Sequence, residues 1–304
     1  MKLSLIITTY NRASWLIRLL ESVVRQSAES AVWECVVVNN NSSDNTCEAF
    51  ADFVAAYPHH NLRMVVEPKQ GLSNARNRGI AEAQGDYIAF VDDDQTLEES
   101  FAESYIDFFD AFPMAVAAGG AVKARYESAP PRWMSHYTER MIANPVDLDV
   151  VVCEFPASRV PAGGNMAFRR EVFDEVGTFN PLLGRNGESL CGGEENDLFA
   201  RLRSKGYRLY FVPNAAIYHH IPDSKLTDEY FDRLSFNVGR SKRLRTELQG
   251  KDAVSTLIRG ERIKWLVTWV LALLYTLTLQ PLKARYVVRM RRGISRGIES
   301  VTSK

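Results

Sequence analysis

Short apolar runs alternate with amphipathic stretches through the first hundred residues, and each run stops at a polar cluster. Leu3–Tyr10 is β-rich and ends at Asn11-Arg12. Ser14–Val24 places Leu16, Leu19, Leu20, Val23 and Val24 on one helical face. A second buried strand, Trp33–Val38, stops at Asn39-Asn40-Asn41-Ser42-Ser43-Asp44-Asn45. A helix from about Thr46 to Tyr57 and a third strand, Leu62–Val66, follow. Gly71–Gln84 is predicted to be a loop and a helix, and the strand ending at Val91 runs straight into Asp92-Asp93-Asp94. Thr96-Leu97-Glu98-Glu99 matches a capping box and is predicted to start the next helix. Strands alternating with helices predict an α/β protein with a Rossmann-like, mostly parallel sheet flanked by helices. In such sheets ligands gather at the carboxyl ends of the strands. Tyr10-Asn11-Arg12, Asn39 to Asp44 and Asp92 to Asp94 all fall at such ends.

Beyond residue 112 the pattern loosens. A strand is predicted near Ala115–Ala124, then an irregular excursion punctuated by Pro130-Pro131 and Pro145. Gly163-Gly164 precede a strand-like run, so backbone can approach a ligand closely there. Residues 170–179 look helical, and Gly192-Gly193-Glu194-Glu195-Asn196-Asp197 precede a helix in which Asp197 and Arg201 suit an ordinary i,i+4 pair. The last strand, Tyr207–Val212, is closed by Pro213, and the chain then reaches His219-His220. The tail changes character. Trp265–Leu279 is almost wholly apolar and is followed by Arg285, Arg289, Arg291, Arg292 and Arg296. This run falls short of the roughly 20 residues needed to span a bilayer. It suits a helix lying in an anionic membrane face over 260–296, the alternative being a terminal helix docked on protein.

Charge sharpens that division. Formal net charge is zero, yet from position 240 onward 15 Lys and Arg stand against 4 Asp and Glu, leaving 22 against 33 in residues 1–239. An acidic body is a poor general binder of nucleic acid. The four cysteines show no C-x-x-C spacing, which argues against zinc or a disulfide framework, and Cys35 sits in an apolar run as a core thiol. Met1-Lys2-Leu3 enters a strand with no cleavage-site pattern, so a cytoplasmic body is expected. Three adjacent carboxylates repel one another unless a cation joins them, and hard divalent cations prefer oxygen ligands. The bland alternative is a solvated acidic turn.

Taken in order, these motifs resemble the family 2 glycosyltransferases of the GT-A fold, over about Leu3 to His219. They are Thr9-Tyr10-Asn11-Arg12, the Asn39–Thr46 segment, Gly71-Leu72-Ser73-Asn74-Ala75-Arg76-Asn77, Asp92-Asp93-Asp94, Gly163-Gly164-Asn165, Glu194-Glu195-Asn196-Asp197-Leu198 and His219. The resemblance implies a GT-A catalytic domain over residues 1–222, with a nucleotide-sugar half of about 1–112 and an acceptor half of about 113–222. A basic, helical, membrane-associated region would occupy 223–304.

By that resemblance Asp92 and Asp94 form a D-x-D element, in which Asp94 would bind Mg²⁺ or Mn²⁺ and Asp92 would hold ribose or metal. Asp93, counted with the nucleotide-binding stretch, would be the spacer facing away from the donor. His219 matches a late histidine that supplies a further metal ligand, with His220 its adjacent rival. Glu195 stands at the position of the catalytic base. The chain has Glu-Glu where the family usually has Glu-Asp, which leaves open whether Glu194 or Glu195 points inward. Thr9, Tyr10 and Arg12 would lie beside base and ribose. Asp44 keeps its family position, and Arg76, on a loop, would contact base or phosphate. Asn39 replaces a common Asp; its amide oxygen can still accept from a uracil N–H. Gly163, Gly164 and Asn165, with Glu194, would line the donor sugar and acceptor.

The implied activity is inverting, metal-dependent transfer from a nucleotide-diphosphate sugar, a UDP-sugar above all, to a hydroxyl of a glycan or lipid-linked acceptor. It would serve surface polysaccharide or glycolipid synthesis, peripheral or monotopic at the cytoplasmic membrane face, with oligomerisation open. Two other classes stand beside it. A nucleotidyltransferase usually shows a glycine- and Lys/Arg-rich loop after its first strand, which Tyr10-Asn11-Arg12 does not resemble. A non-catalytic nucleotide-sugar-binding, membrane-associated protein would not need Asp92, Asp94, Glu195 and His219 together.

Overall fold

The computed structural model describes residues 1–187 and 189–300. The chain opens with β1 (Leu3–Thr9), α1 (Ala13–Val23), β2 (Trp33–Asn39), α2 (Thr46–Ala56), β3 (Leu62–Val66), α3 (Leu72–Glu82) and β4 (Tyr87–Asp92). These strands lie in the order β3-β2-β1-β4, all parallel, with Leu3 opposite both Trp33 and Tyr87. β1 and β2 are buried at every position, as strands covered by helices on both faces must be. Three polar strand ends are therefore brought level: Thr8 pairs with Asp92, and Thr9 with Asn39.

Past β4 the parallel order stops. The chain continues through β5 (Gln95–Leu97), α4 (Phe101–Ala111), β6 (Ala117–Tyr126), α5 (His136–Ile142), β7 (Cys153–Glu154) and β8 (Asn165–Arg169). It goes on through α6 (Val172–Val176), α7 (Glu194–Ser204) and β9 (Tyr210–Ile221). β8 joins β4 antiparallel, and the sheet extends as β4-β8-β6-β9-β5, with β7 on β9. Phe90 of β4 meets Phe168 of β8 edge-on at 6.0 Å and Phe179 at 5.4 Å, joining the two parts in one core.

Two expectations are corrected here. Thr96 does not cap a helix: it lies in β5 opposite Tyr218, and α4 begins only after Ser100. Strand pairing with β9 takes the segment that local capping chemistry would have claimed. Nor does Pro213 end the last strand, which runs on to Ile221. Proline's fixed φ is compatible with extended backbone and costs one donor, so it need not stop a strand. Asp197 and Arg201 do form the ordinary i,i+4 pair, at 3.0 Å, and Arg201 also donates to the carbonyls of Gly177 and Thr178.

The chain divides into two compact units, one of Met1–Arg125, Pro145–Leu182 and Glu194–His220, the other of Tyr126–Asn144, Leu183–Gly193 and Ile221 onward. The second is built on α8 (Asp228–Glu247), α9 (Lys251–Leu277) and α10 (Pro281–Glu299). α8 and α10 touch backbone to backbone: a Cβ on Gly297 would lie 2.0 Å from the Phe236 carbonyl, and one on Gly239 2.0 Å from that of Ile294. Trp133 stacks on Tyr286 with centroids 4.3 Å apart, and Phe231 closes the cluster edge-on.

Most of the apolar run, Trp265 to Leu277, is the second half of the 27-residue α9. Thr268 and Ala272 are buried, and Glu261 accepts from Arg291 of α10 at 2.8 Å. The opposite face carries Ile263, Leu266, Val267, Val270, Leu273, Leu274 and Leu277, all exposed, at the i, i+3, i+4, i+7 spacing of one stripe. On α10 the apolar residues Val287, Met290, Ile294 and Ile298 are buried instead. No helix among the described residues is long and apolar enough to cross a membrane.

Gly297→Leu should therefore destabilise the protein by about 2 kcal/mol or more, since overpacking a closed contact typically costs about 1–3 kcal/mol. Gly260→Ala, whose Cβ would meet nothing within 4 Å, should leave the protein as stable or more so. Denaturant unfolding of the two variants side by side checks the contrast.

Candidate active site

The three carboxylates at the end of β4 have three different surroundings. Asp93 is buried; it accepts from Thr9 Oγ1 and from Arg12 Nη1, both at 2.9 Å. Burial pushes its carboxyl up to about 6, against the pull of Arg12 and with a further push from Asp94. Thr9, Arg12 and Asp93, expected as nucleotide contacts, thus hold one another at the strand end. Asp94 lies 3.4 Å from the same Arg12 nitrogen through Oδ2, and its Oδ1 is 3.7 Å from His219 Nε2. Asp92 is the most open of the three, and its Oδ1 accepts from Arg76 at 3.1 Å.

Arg76 departs most from expectation. It sits in α3, not on a loop, and its side chain is 1 % exposed. Gly71, at φ 131°, starts the helix at once, and its N–H donates to Asn40 Oδ1 at 2.8 Å. Arg76 Nη1 donates to Glu194 Oε1 at 2.6 Å, while Nη2 donates to Asp92 and to the Gly163 carbonyl at 3.0 Å. The guanidinium carbon is 5.4 Å from the centroid of the Phe179 ring. So enclosed, it links β4, α7 and the turn before β8. Removing one partner of such a buried pair costs about 3–5 kcal/mol.

The structure separates the two glutamates. Glu194, first residue of α7, is buried against Arg76, and its Oε2 is buried without a hydrogen-bond partner among the described residues. Burial, then the adjacent Glu195, push its carboxyl up to about 7, with Arg76 pulling the other way. Glu195 is half-buried, accepts from Asn196 Nδ2, and has its Cγ 3.6 Å from where a Cβ on Gly163 would stand. Gly164 has no room for a side chain: a Cβ would lie 2.1 Å from Gln95 Nε2 and 2.7 Å from Asp92 Oδ2. Asn165 is fully buried; its amide donates to Ala121 and Ala215 carbonyls and accepts from Tyr105, so that side chain ties the sheet together.

Successive residues of a strand face opposite ways. His219 accordingly turns to Asp94, while His220 is buried with Nε2 2.9 Å from Thr96 Oγ1 and its ring 6.2 Å from Trp15. Burial, helped by Arg18 and Arg125, holds His220 down at about 4. At the end of β2, Asn39 Oδ1 accepts from the Ser42 N–H at 2.8 Å and its Nδ2 contacts Cys47 Sγ at 3.0 Å. Asp44 accepts from the N–H groups of Ala13 and Thr46, both at 3.2 Å, closing the starts of α1 and α2 with one carboxylate. Tyr10 is exposed. Sequence reasoning gave Asn11 and Asn40 no role of their own. Asn11, at φ 52°, accepts from the Ser43 N–H at 2.7 Å, and Asn40 holds the carbonyls of Glu67 and Lys69. Asparagine's tolerance of positive φ at a strand end was the available signal for Asn11.

Among the described residues no cluster of three or more His, Cys, Asp and Glu side chains stands ready for a metal ion. Asp94 and His219 nevertheless supply one oxygen and one nitrogen facing each other. Mg²⁺ commonly takes one or two carboxylates and completes its shell with water and substrate phosphates. The donor set fits a cation shared with a bound diphosphate.

The fold is the GT-A fold. Over 96 % of this chain and 86 % of the other it superposes on a mannosyltransferase from Pyrobaculum calidifontis, solved with GDP-Man and Mn²⁺, at TM-score 0.63 and 16 % identity. TarS of S. aureus in complex with UDP-GlcNAc gives TM-score 0.57 and 16 % identity over 97 % of this chain and 90 % of that one. Residues 4–177 match the model of glycosyl transferase family 2, and the chain belongs to that family. Among its relatives is the glucosyl-dolichyl phosphate glucuronosyltransferase of Haloferax volcanii, 27 % identical over 255 residues, covering 80 % of this chain and 77 % of the relative.

The depressed His220 gives a pH prediction. Its folded value, about 4, lies below the ordinary 6.5, so the unfolded chain binds more protons between the two. The stabilisation is complete above pH 6.5, declines as pH falls, and is gone below about 4. In metal-free buffer, wild type should lose more unfolding free energy between pH 7 and pH 5 than His220→Gln does.

Proposed function

We propose that this chain is an inverting, divalent-cation-dependent glycosyltransferase. It would move a sugar from a nucleotide diphosphate, a UDP-sugar above all, to a hydroxyl of a glycan or lipid-linked acceptor in surface polysaccharide or glycolipid synthesis. One observation carries the reading: Asp94 and His219 face each other at 3.7 Å at the carboxyl end of the sheet, beside Asp92 and within the unit that carries Glu195 against Gly163. The family's chemistry supports transfer, and the GDP-Man, UDP-GlcNAc and Mn²⁺ complexes of the two solved structures support a nucleotide-sugar donor and a cation.

In this mechanism Asp94 and His219 would hold Mn²⁺ or Mg²⁺, with Asp92 toward ribose or metal. The cation, when bound, offsets the charge that gathers on the leaving diphosphate. Thr9, Tyr10, Arg12 and Asp93 form the nucleotide end, with Asn39 and Asp44 shaping the loop beside the base. The second lone pair of the Asn39 amide oxygen can accept from a uracil N–H. Gly163 and Gly164 bring bare backbone against the donor sugar, braced from behind by Asn165. Glu195 takes the proton of the acceptor hydroxyl as that oxygen bonds to the anomeric carbon; the bond to the diphosphate breaks on the opposite side, which inverts the centre.

The catalytic domain would comprise residues 1–222, with 223–304 as a helical region that brings the enzyme to the cytoplasmic face of an anionic membrane as a peripheral or monotopic protein. The exposed stripe of α9, with Arg259, Arg262 and Lys264 before or within it, supports this over a docked terminal helix. The buried apolar face of α10 supports a membrane contact, expected over 260–296, that would be made by α9 and the turn after it.

Incubation with a panel of nucleotide sugars and Mn²⁺ should give transfer or donor hydrolysis that chelator abolishes. Asp94→Ala should lose cation-dependent donor binding, whereas Glu195→Gln should bind donor and lose turnover by about 10²-fold or more. Activity unchanged both in chelator and in Asp94→Ala overturns the mechanism. Separately, Leu266→Ser/Val270→Ser/Leu273→Ser should cut partitioning onto phosphatidylserine vesicles by at least about tenfold, since burial of even one such apolar side chain is worth about 1.5–3 kcal/mol; equal sedimentation favours docking on protein.

A further inference from the structure

We propose that Arg76 is a positioning residue, one guanidinium that sets the metal-side carboxylate Asp92 and the acceptor-side base Glu195 in register; this rests on the roles given above. The side chain is 1 % exposed and reaches neither solvent nor an open cleft. Both terminal nitrogens of its fork are engaged: Nη1 with Glu194 Oε1 at 2.6 Å, Nη2 with Asp92 Oδ1 at 3.1 Å and with the Gly163 carbonyl at 3.0 Å. Asp92 is the last residue of β4, two before Asp94. Glu194 is the first residue of α7, one before Glu195. The two functional carboxylates are thus each within two residues of a group that this one plane grips.

The surroundings fix the plane itself. Phe179 lies under the guanidinium carbon at 5.4 Å, and that phenylalanine is tied to α3 by Asn77, which donates to its carbonyl at 2.8 Å and accepts from its N–H at 2.9 Å. α3 is in turn pressed on β1, where a Cβ on Gly79 would fall 2.3 Å from Ile6 Cγ2. Among the described residues Arg76 is the side chain that holds Glu194, whose second oxygen is buried without a hydrogen-bond partner. Gly163 separates Arg76 from Glu195: a Cβ there would stand 3.3 Å from Arg76 Nη2 and 3.6 Å from Glu195 Cγ. A shift of the guanidinium is therefore passed both to the start of α7 and into the space beside Glu195. Lysine keeps the charge and loses the planar fork, so it cannot hold both ends.

The test compares Arg76→Lys, Glu194→Gln and Glu195→Gln in the full chain, with Mn²⁺ and the nucleotide sugar that wild type turns over. Arg76→Lys should lower kcat by about 10²-fold, the cost of a misplacement near 1 Å, with donor KM changed less than about threefold. Its kcat–pH profile should move on the acid side. Glu194→Gln should act in the same direction and less strongly, and it carries the test if Arg76→Lys does not fold. A donor KM raised about tenfold at unchanged kcat would make Arg76 a nucleotide contact and overturn the proposal. So would a lowered melting point with kcat per folded molecule and pH profile unchanged. If Glu195→Gln keeps wild-type turnover, the assignment of the base fails, whatever Arg76 does. If Glu195→Gln is inactive while the other two keep kcat and profile, only the positioning role fails.

Discussion

A charge buried away from water must be matched at close range or it unfolds what encloses it. Arg76 meets that condition with two carboxylates and a carbonyl drawn from β4, α7 and the turn before β8, segments that are remote in sequence. Burial works against the guanidinium's charge, and Glu194, Asp92 and Glu195 more than restore it. The arrangement converts an electrostatic requirement into a geometric one. Because the guanidinium has to be neutralised, the acidic strand end and the acidic helix start have to meet.

Around that point the acidic residues are sorted by environment, not by kind. Asp93 is enclosed and spent on Thr9 and Arg12; Asp94 looks toward His219; Asp92 stays partly in water. Glu194 and Glu195, adjacent and chemically identical, differ because a helix start can bury one of two successive side chains fully and the next only in part. Identical groups placed in unlike surroundings are fitted to unlike uses. The pair His219 and His220 repeats the principle on a strand, where alternation alone sends one ring to Asp94 and the other under Trp15.

The parallel half of the sheet was legible because β1, β2 and β4 are continuous apolar runs with sharp polar ends, and the acidic cluster was legible because it is contiguous. What was not legible depended on partners distant in sequence. Thr96 follows capping rules locally, and only pairing with Tyr218 makes it a strand residue. Arg76 and Asn165 are polar and so suggest ligand contact, yet each is consumed by backbone and side chains that sequence spacing cannot bring together. Pro213 misled, and the two faces of the tail stayed hidden, for a related reason. A proline is tolerated in extended chain, and an all-apolar run does not reveal that Thr268 and Ala272 face α10 while Leu266 and Val270 face outward.

The outward stripe of α9 has a practical side. A formal net charge of zero gives copies of the protein no long-range repulsion to keep them apart. Contiguous apolar surface of this kind is rare on monomeric soluble proteins. In plain buffer that stripe is where copies of the chain should meet, and a mild detergent that wets it should keep the folded protein dispersed.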